Sequence, residues 1–164
     1  MKRRGFIKTG VAGIVAPAAL FSNDKKPIKS RMGKPIVIST WNHGLPANDA
    51  AMAVLKQNGS ALDAVEAGVR VPEADPKSQS VGYGGRPDEE GHVTLDACIM
   101  DSAGNAGAVA FLEDIKHPIS VARKVMEQTD HVMLVGQGAK KFALAHGFKE
   151  EDLLTKKSRE EWLR

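Results

Sequence analysis

A chain of 164 residues is long enough for one domain or for part of a larger one. With 42% hydrophobic and 26% charged residues it has the balance of an ordinary soluble globular protein. The net charge of +3 overstates how basic the folded part is: Lys2, Arg3, Arg4, Lys8, Lys25, Lys26, Lys29, Arg31 and Lys34 are opposed in that stretch by Asp24 alone, and the remainder is acidic, which argues against nucleic acid as a partner.

Residues 1–30 read as an address and the start of a tether. Met1–Lys8 is basic, and Val11–Phe21 is apolar, rich in small residues and too short to span a membrane. Arg3–Arg4 followed by Phe6, Ile7 and Lys8 is similar to the twin-arginine export signature, a route that carries folded cargo. The alternative is a general secretory signal with an incidental arginine pair. Ala16, Ala18 and Ala19 suit cleavage nearby, and residues 23–34 read as a polar tether. The expected destination is the periplasm or the medium, with no membrane segment in the mature form.

Residues 31–164 form the second region, the folded part. Lys34–Trp41 is a β-branched run that predicts a buried strand, with Pro35 at its start. After a turn at residues 43–46, Ala47, Ala50, Ala51, Val54 and Leu55 mark one helical face, with Gly59 as the expected left-handed stop. Ser60 and Asp63 form a capping-box variant for a second helix faced by Leu62, Val65 and Val69. Pro72 is expected to kink that helix or end it early, and Asp75–Pro76 closes the region.

The period then changes. Residues 81–87 are glycine-rich, and residues 88–91 read as a turn. His92–Asp101 and Ala106–Leu112 predict a hairpin joined by residues 102–105. Val93, Leu95, Ala97 and Ile99 form its inward set, so Asp96 and Asp101 are expected as cross-strand or hairpin-end partners. Pro118 opens a helix to Gln128 with Ile119, Ala122, Val125 and Met126 inward. A strand at His131–Val135 and a helix at Gly138–His146, stopped by Gly147, follow. A last helix is expected from Ser158, capped by Glu161, and the chain ends inside it, which is read as truncation. The order predicts a layered α/β protein with helices packed on a sheet.

Chemistry is harder to find. His43, His92, His117, His131 and His146 lack zinc-ligand spacing, so neither metal nor cofactor is expected; His92 and His131 are placed on the surface. Cys98, the single cysteine, is expected as a small buried hydrophobe. No Walker loop, serine elbow or complete dinucleotide fingerprint occurs. Gly82, Gly84 and Gly85 do not lead into a helix, so they are assigned to positive φ or close backbone packing.

Three stretches carry more. Ser39–Asn42 (STWN), Gly59–Arg70 (GSALDAVEAGVR), and Ser80–Pro87 (SVGYGGRP) with Thr94–Asp101 (TLDACIMD) resemble the α-subunit of glycosylasparaginases, and His117–Arg123 and His131–Gly136 extend the likeness. Plant-type asparaginases and isoaspartyl peptidases share the helix and the strand. They usually differ at Val81–Pro87 and open on a His-Gly-Gly-rich segment where this chain has Thr40–Asn42.

The resemblance implies the N-terminal half of a four-layer αββα N-terminal-nucleophile hydrolase. It implies a precursor that cuts itself before a threonine, whose hydroxyl then attacks the glycan–asparagine amide with its own α-amino group as base. That threonine is expected beyond Arg164, with no catalytic residue in this chain; Thr129 and Thr155 lack the context. Substrate-binding roles carry over to Trp41, as a pocket border, and to the adjacent Asn42. Gly84, Gly85 and Arg86 are assigned to shaping a nearby loop. His43 and Pro72 depart from the family pattern. Implied partners are a Thr-bearing β-subunit half, a glycosylated asparagine substrate and a further copy of the α/β pair. The alternatives are an isoaspartyl peptidase or L-asparaginase of the same family, or a non-catalytic exported remnant.

Overall fold

Helix α1 (Gly44–Lys56) and helix α2 (Ala61–Ala74) open the computed structural model, which describes residues 33–164; the leader assigned to residues 1–30 lies outside the described residues. Strands β1 (Thr94–Met100) and β2 (Ala106–Glu113), helix α3 (Pro118–Gln128), strand β3 (Met133–Val135), helix α4 (Gly136–Ala145) and helix α5 (Lys156–Trp162) follow. No described helix is long and apolar enough to cross a membrane.

The α2 start is set by its cap. The Asp63 N–H donates to the Ser60 hydroxyl at 3.0 Å, and the Ser60 N–H donates to the Asp63 carboxylate at 3.3 Å. This is the reciprocal box expected, and the Ser60 hydrogen bond, followed by Arg123, holds the Asp63 carboxyl below its ordinary value. Gly68 lets α1 approach, since a Cβ there would lie 2.9 Å from the Ala47 carbonyl oxygen.

The stop between α1 and α2 differs from expectation. Asn58, not Gly59, takes the left-handed conformation, at φ 61. Asn tolerates it better than most residues. Gly59 is required for room instead: a Cβ would fall 2.4 Å from Val54 Cγ1. Pro72 likewise does not end α2, which continues to Ala74. Glu73 anchors that last turn from outside, its carbonyl accepting from the Tyr83 N–H at 2.8 Å and its carboxylate from the Ile119 N–H at 3.1 Å. Leu62 and Val69 pack against the core as expected, whereas Val65 stays half exposed.

The sheet has the order β1-β2-β3, with β1 antiparallel and β3 parallel to β2. Asp101 holds the hairpin turn, accepting from the N–H groups of Ala103 at 2.8 Å and Asn105 at 2.9 Å. The side-chain bond from Asn105 does most to keep the Asp101 carboxyl below its ordinary value. The register slips between Leu95 and Ala97, where β2 carries one extra residue. Asp96 fills the gap by accepting from the Phe111 N–H at 2.8 Å, with Phe111 at φ 52. Both aspartates thus serve the hairpin, as expected.

One face of the sheet is covered. Ile99, Val109 and Leu112 pack with Ile119, Ala122 and Val125 of α3 and with Ala139 and Ala143 of α4, forming the main core. Pro118 opens α3 at a position where the missing N–H has no partner to lose.

The other face is bare. Met100, Phe111, Met133 and Val135 are each more than half exposed. Cys98 is exposed as well, contrary to its expected burial. Side chains alternate along a strand, so Cys98 shares a face with Asp96 and Met100, opposite Leu95 and Ile99. The helices cover only the latter side.

Lys34–Trp41 is also corrected: it forms no strand, and Ile36 and Ile38 are 79% and 87% exposed. Its β-branched residues suit a pleated, half-buried surface, but no described neighbour supplies one. Residues 35–164 expressed alone should therefore be poorly soluble or bind a hydrophobic dye strongly. A monomer with a sharp cooperative melt and low dye binding would contradict this.

The final helix starts earlier than expected. Thr155 is its cap, accepting from the Ser158 N–H at 3.3 Å. Ser158 is buried, and its hydroxyl donates to the Gly84 carbonyl at 2.6 Å. The helix runs to Trp162, with Leu163 at its C-cap.

Candidate functional site

The segment that leaves α2 is pinned at many points along its backbone. The Lys77 N–H donates to the Asp75 carboxylate at 3.0 Å, the Arg86 N–H to the Gln79 carbonyl at 3.0 Å, and the Gly84 N–H to the Leu153 carbonyl at 2.8 Å. Gly82, at φ 58, passes so close to α2 that a Cβ would sit 2.1 Å from the Glu73 carbonyl oxygen. Gly84, at φ 92, would meet the Pro76 carbonyl at 2.8 Å. These glycines serve positive φ and close packing, as their sequence context implied.

Opposite this loop, the start of α1 forms the other wall of a cleft of about 490 Å³. Asn42 and His43 line one side; Asp75, Lys77, Ser78, Gln79, Ser80 and Arg86 line the rest. Every lining side chain is polar. Asn42 is thus brought to a cavity. Trp41 is not among its lining residues and stands 71% exposed, its carbonyl accepting from the Gly44 N–H at 2.8 Å.

A second polar centre lies at the end of α2. Glu73 is buried, and its carboxylate meets His117 Nδ1 at 3.0 Å as well as the Ile119 N–H. Burial pushes the Glu73 carboxyl above its ordinary value, against the pull of His117 and of the Ile119 N–H.

A third centre ties α2 to α3. Arg123 meets Asp63 and Glu66 at 2.7 Å each, and its Nε meets Glu127 at 2.7 Å. The Ser120 hydroxyl donates to the same Glu66 at 2.5 Å, and Arg70 donates to Ser120 at 3.1 Å. A serine against a carboxylate has the outline of a nucleophile with its base. The chemistry fails on two counts: Ser120 is buried, and the Glu66 carboxylate that would have to take its proton is already engaged by Arg123 at 2.7 Å and Arg70 at 4.0 Å.

The other hydroxyls of interest are committed to structure. Thr129 donates to the Val125 carbonyl at 2.8 Å and accepts from the His131 N–H at 3.0 Å; Thr155 caps α5. His92 and His131 are exposed, as expected. No three His, Cys, Asp or Glu side chains among the described residues gather into a metal-holding group.

Sequence reasoning missed the cleft floor at Lys77–Ser80 and the two interior-facing carboxylates, Glu73 buried and Glu66 half-buried. The latter had a visible sign. Leu62, Glu66, Val69 and Glu73 recur at helical spacing, so two acids sit on the stripe that carries the apolar contacts. The cleft had none, because its walls come from segments more than thirty residues apart.

Residues 40–164 match the asparaginase family. N(4)-(β-N-acetylglucosaminyl)-L-asparaginase of Elizabethkingia miricola is 66% identical over 129 residues, 79% of this chain and 38% of the relative. The enzymes of the same name from Mus musculus and Rattus norvegicus are each 50% identical over 133 residues, again 79% of this chain and 38% of theirs. The chain therefore spans well under half the length of these relatives. A match that runs from Thr40 through the capping box, the glycine loop and the hairpin to the last helix covers every element described above, and the chain belongs to the asparaginase family.

Proposed function

We propose that this chain is the nucleophile-free portion of an exported glycosylasparaginase, an amidohydrolase that cleaves the bond between N-acetylglucosamine and the asparagine side chain. The single observation that carries the reading is the 66% identity to the Elizabethkingia miricola enzyme of that name. On this reading the chain supplies the N-terminal half of a four-layer αββα fold. The remaining length supplies a second set of strands that covers the bare sheet face around Phe111 and Met133, and it brings a threonine freed by self-cleavage. Two such α/β pairs make up the particle.

The threonine hydroxyl attacks the amide carbonyl while its α-amino group takes the proton. The carbon–nitrogen bond breaks, the glycosylamine leaves, and water releases aspartate from the resulting ester. Hydrogen-bond donors in an oxyanion hole stabilise the tetrahedral intermediates. Trp41 and Asn42 border the substrate, the indole excluding water and the amide offering polar contacts.

The test is a hybrid in which this chain replaces the matched segment of the Elizabethkingia miricola relative. It should hydrolyse N-acetylglucosaminyl-asparagine far faster than a β-aspartyl dipeptide. Preference for the dipeptide or for free L-asparagine would favour the peptidase or asparaginase reading. Failure on every substrate would favour a non-catalytic remnant.

Export is tested separately. A reporter fused after Ser30 should reach the periplasm, and replacing Arg3 and Arg4 with Lys should hold it inside. Equal export of both versions would assign the leader to the general secretory route.

A further inference from the structure

The cleft between the start of α1 and the loop after α2 has two properties that rarely coincide. Its backbone is held by the hydrogen bonds at Lys77, Arg86 and Gly84 described above. Its side chains are uncommitted: among the described residues, those of Asn42, Lys77, Ser78 and Arg86 make no hydrogen bond or ion pair. A fixed frame presenting unspent donors and acceptors is the arrangement of a preformed binding site, and about 490 Å³ falls within the usual range for small ligands.

The lining also indicates what it would hold. An apolar ligand would find no apolar side chain among the lining residues. A simple anion would suit Lys77 and Arg86 but would face the Asp75 carboxylate on the same wall. A polyol suits all of them, because each hydroxyl both donates and accepts. Asp75 is an acceptor, Lys77 and Arg86 are donors, and Asn42 and Ser78 are both.

We propose that this cleft seats the saccharide of the substrate, with Lys77 and Arg86 as residues that determine selectivity for the glycosylated amide over the bare one. The assignment rests on the glycosylasparaginase reading, and it gives Arg86 a direct contact beyond shaping a loop. Asn42 lies between the two parts of the substrate, one residue from Trp41.

The hybrid enzyme described above tests this through a ratio. The ratio of kcat/KM for N-acetylglucosaminyl-asparagine to that for L-asparagine should fall about tenfold in Arg86→Ala and further in the Lys77→Ala/Arg86→Ala double variant, as expected for the loss of charge-assisted hydrogen bonds. Both side chains belong to a surface cleft, and circular dichroism will show that the variants fold. Saturation-transfer NMR on the hybrid enzyme, with N-acetylglucosamine as the probe, gives a second measurement. Magnetisation should reach the sugar protons and be lost in the double variant. An unchanged ratio in an active hybrid, or a fall in both kcat/KM values with the ratio preserved, would overturn the saccharide subsite alone. A hybrid that turns over neither substrate would overturn the functional reading beneath it.

Discussion

Residues 35–164 alone should hydrolyse N-acetylglucosaminyl-asparagine no faster than a mock preparation, at least about 10⁴-fold below the hybrid enzyme, the scale of loss when a nucleophile is missing. The physical reason is that the hydroxyls set against helix ends, a carboxylate or the glycine loop are all spent or blocked. Thr129 and Thr155 hold helix ends, Ser158 is buried against the glycine loop, and Ser120 is buried against a carboxylate that Arg123 already engages. Nucleophile and base are, on the proposed reading, one residue, so no partial machinery remains to give a low rate. Joined to the rest of the relative, the chain should appear as two fragments on a denaturing gel. Turnover by residues 35–164 would refute the assignment, and a hybrid that is active while uncut would refute self-processing.

Replacing Glu73 should produce the largest stability effect. The residue ties three segments: its backbone carbonyl holds the glycine loop through the Tyr83 N–H, and its buried carboxylate joins the end of α2 to the start of α3 through Ile119 and His117. In the hybrid, Glu73→Ala leaves the Ile119 N–H buried without a partner and opens a void. The expected cost is about 3 kcal/mol, and the midpoint of urea unfolding reads it. Glu73→Gln keeps an acceptor for Ile119 and should cost far less.

The pH dependence of this site has a definite sign. Burial raises the Glu73 carboxyl above 4.5, so the folded state holds that proton more tightly than the unfolded chain does. The stability contributed by the protonated group is complete below 4.5 and is lost as the pH rises through the higher folded value. Glu73→Gln should remove that stretch of the stability profile. An unaltered profile in the Gln variant would show that Glu73 is not the group responsible.

Several features of this chain could be read before any fold was known, and they are those in which cause and effect lie within a few residues. Ser60 and Asp63 are three apart, so a capping box is written locally. Residues 101–105 close a turn on the Asp101 side chain, and Pro118 opens a helix because of its own ring. The even spacing of Leu95, Ala97 and Ile99 assigns them to one face. The family likeness was legible for a similar reason, since its motifs are contiguous runs.

What required the tertiary structure is everything that depends on which neighbour is present. Alternation divides Cys98 from Ile99, yet only the placement of α3 and α4 on one side leaves the cysteine exposed. Lys34–Trp41 has the composition of a strand and joins no described strand. Gly59 and Asn58 compete for one turn, and the nearness of Val54 decides that the glycine supplies space and the asparagine the positive φ. The polar cleft exists because the end of α2 lies beside the start of α1, a juxtaposition that no local rule encodes. Sequence by itself determined the α2 cap, the opening of α3, the hairpin and the family; the third dimension decided the other helix ends, the burial of Glu73 and the site, because burial is a property of pairs of segments and not of either one.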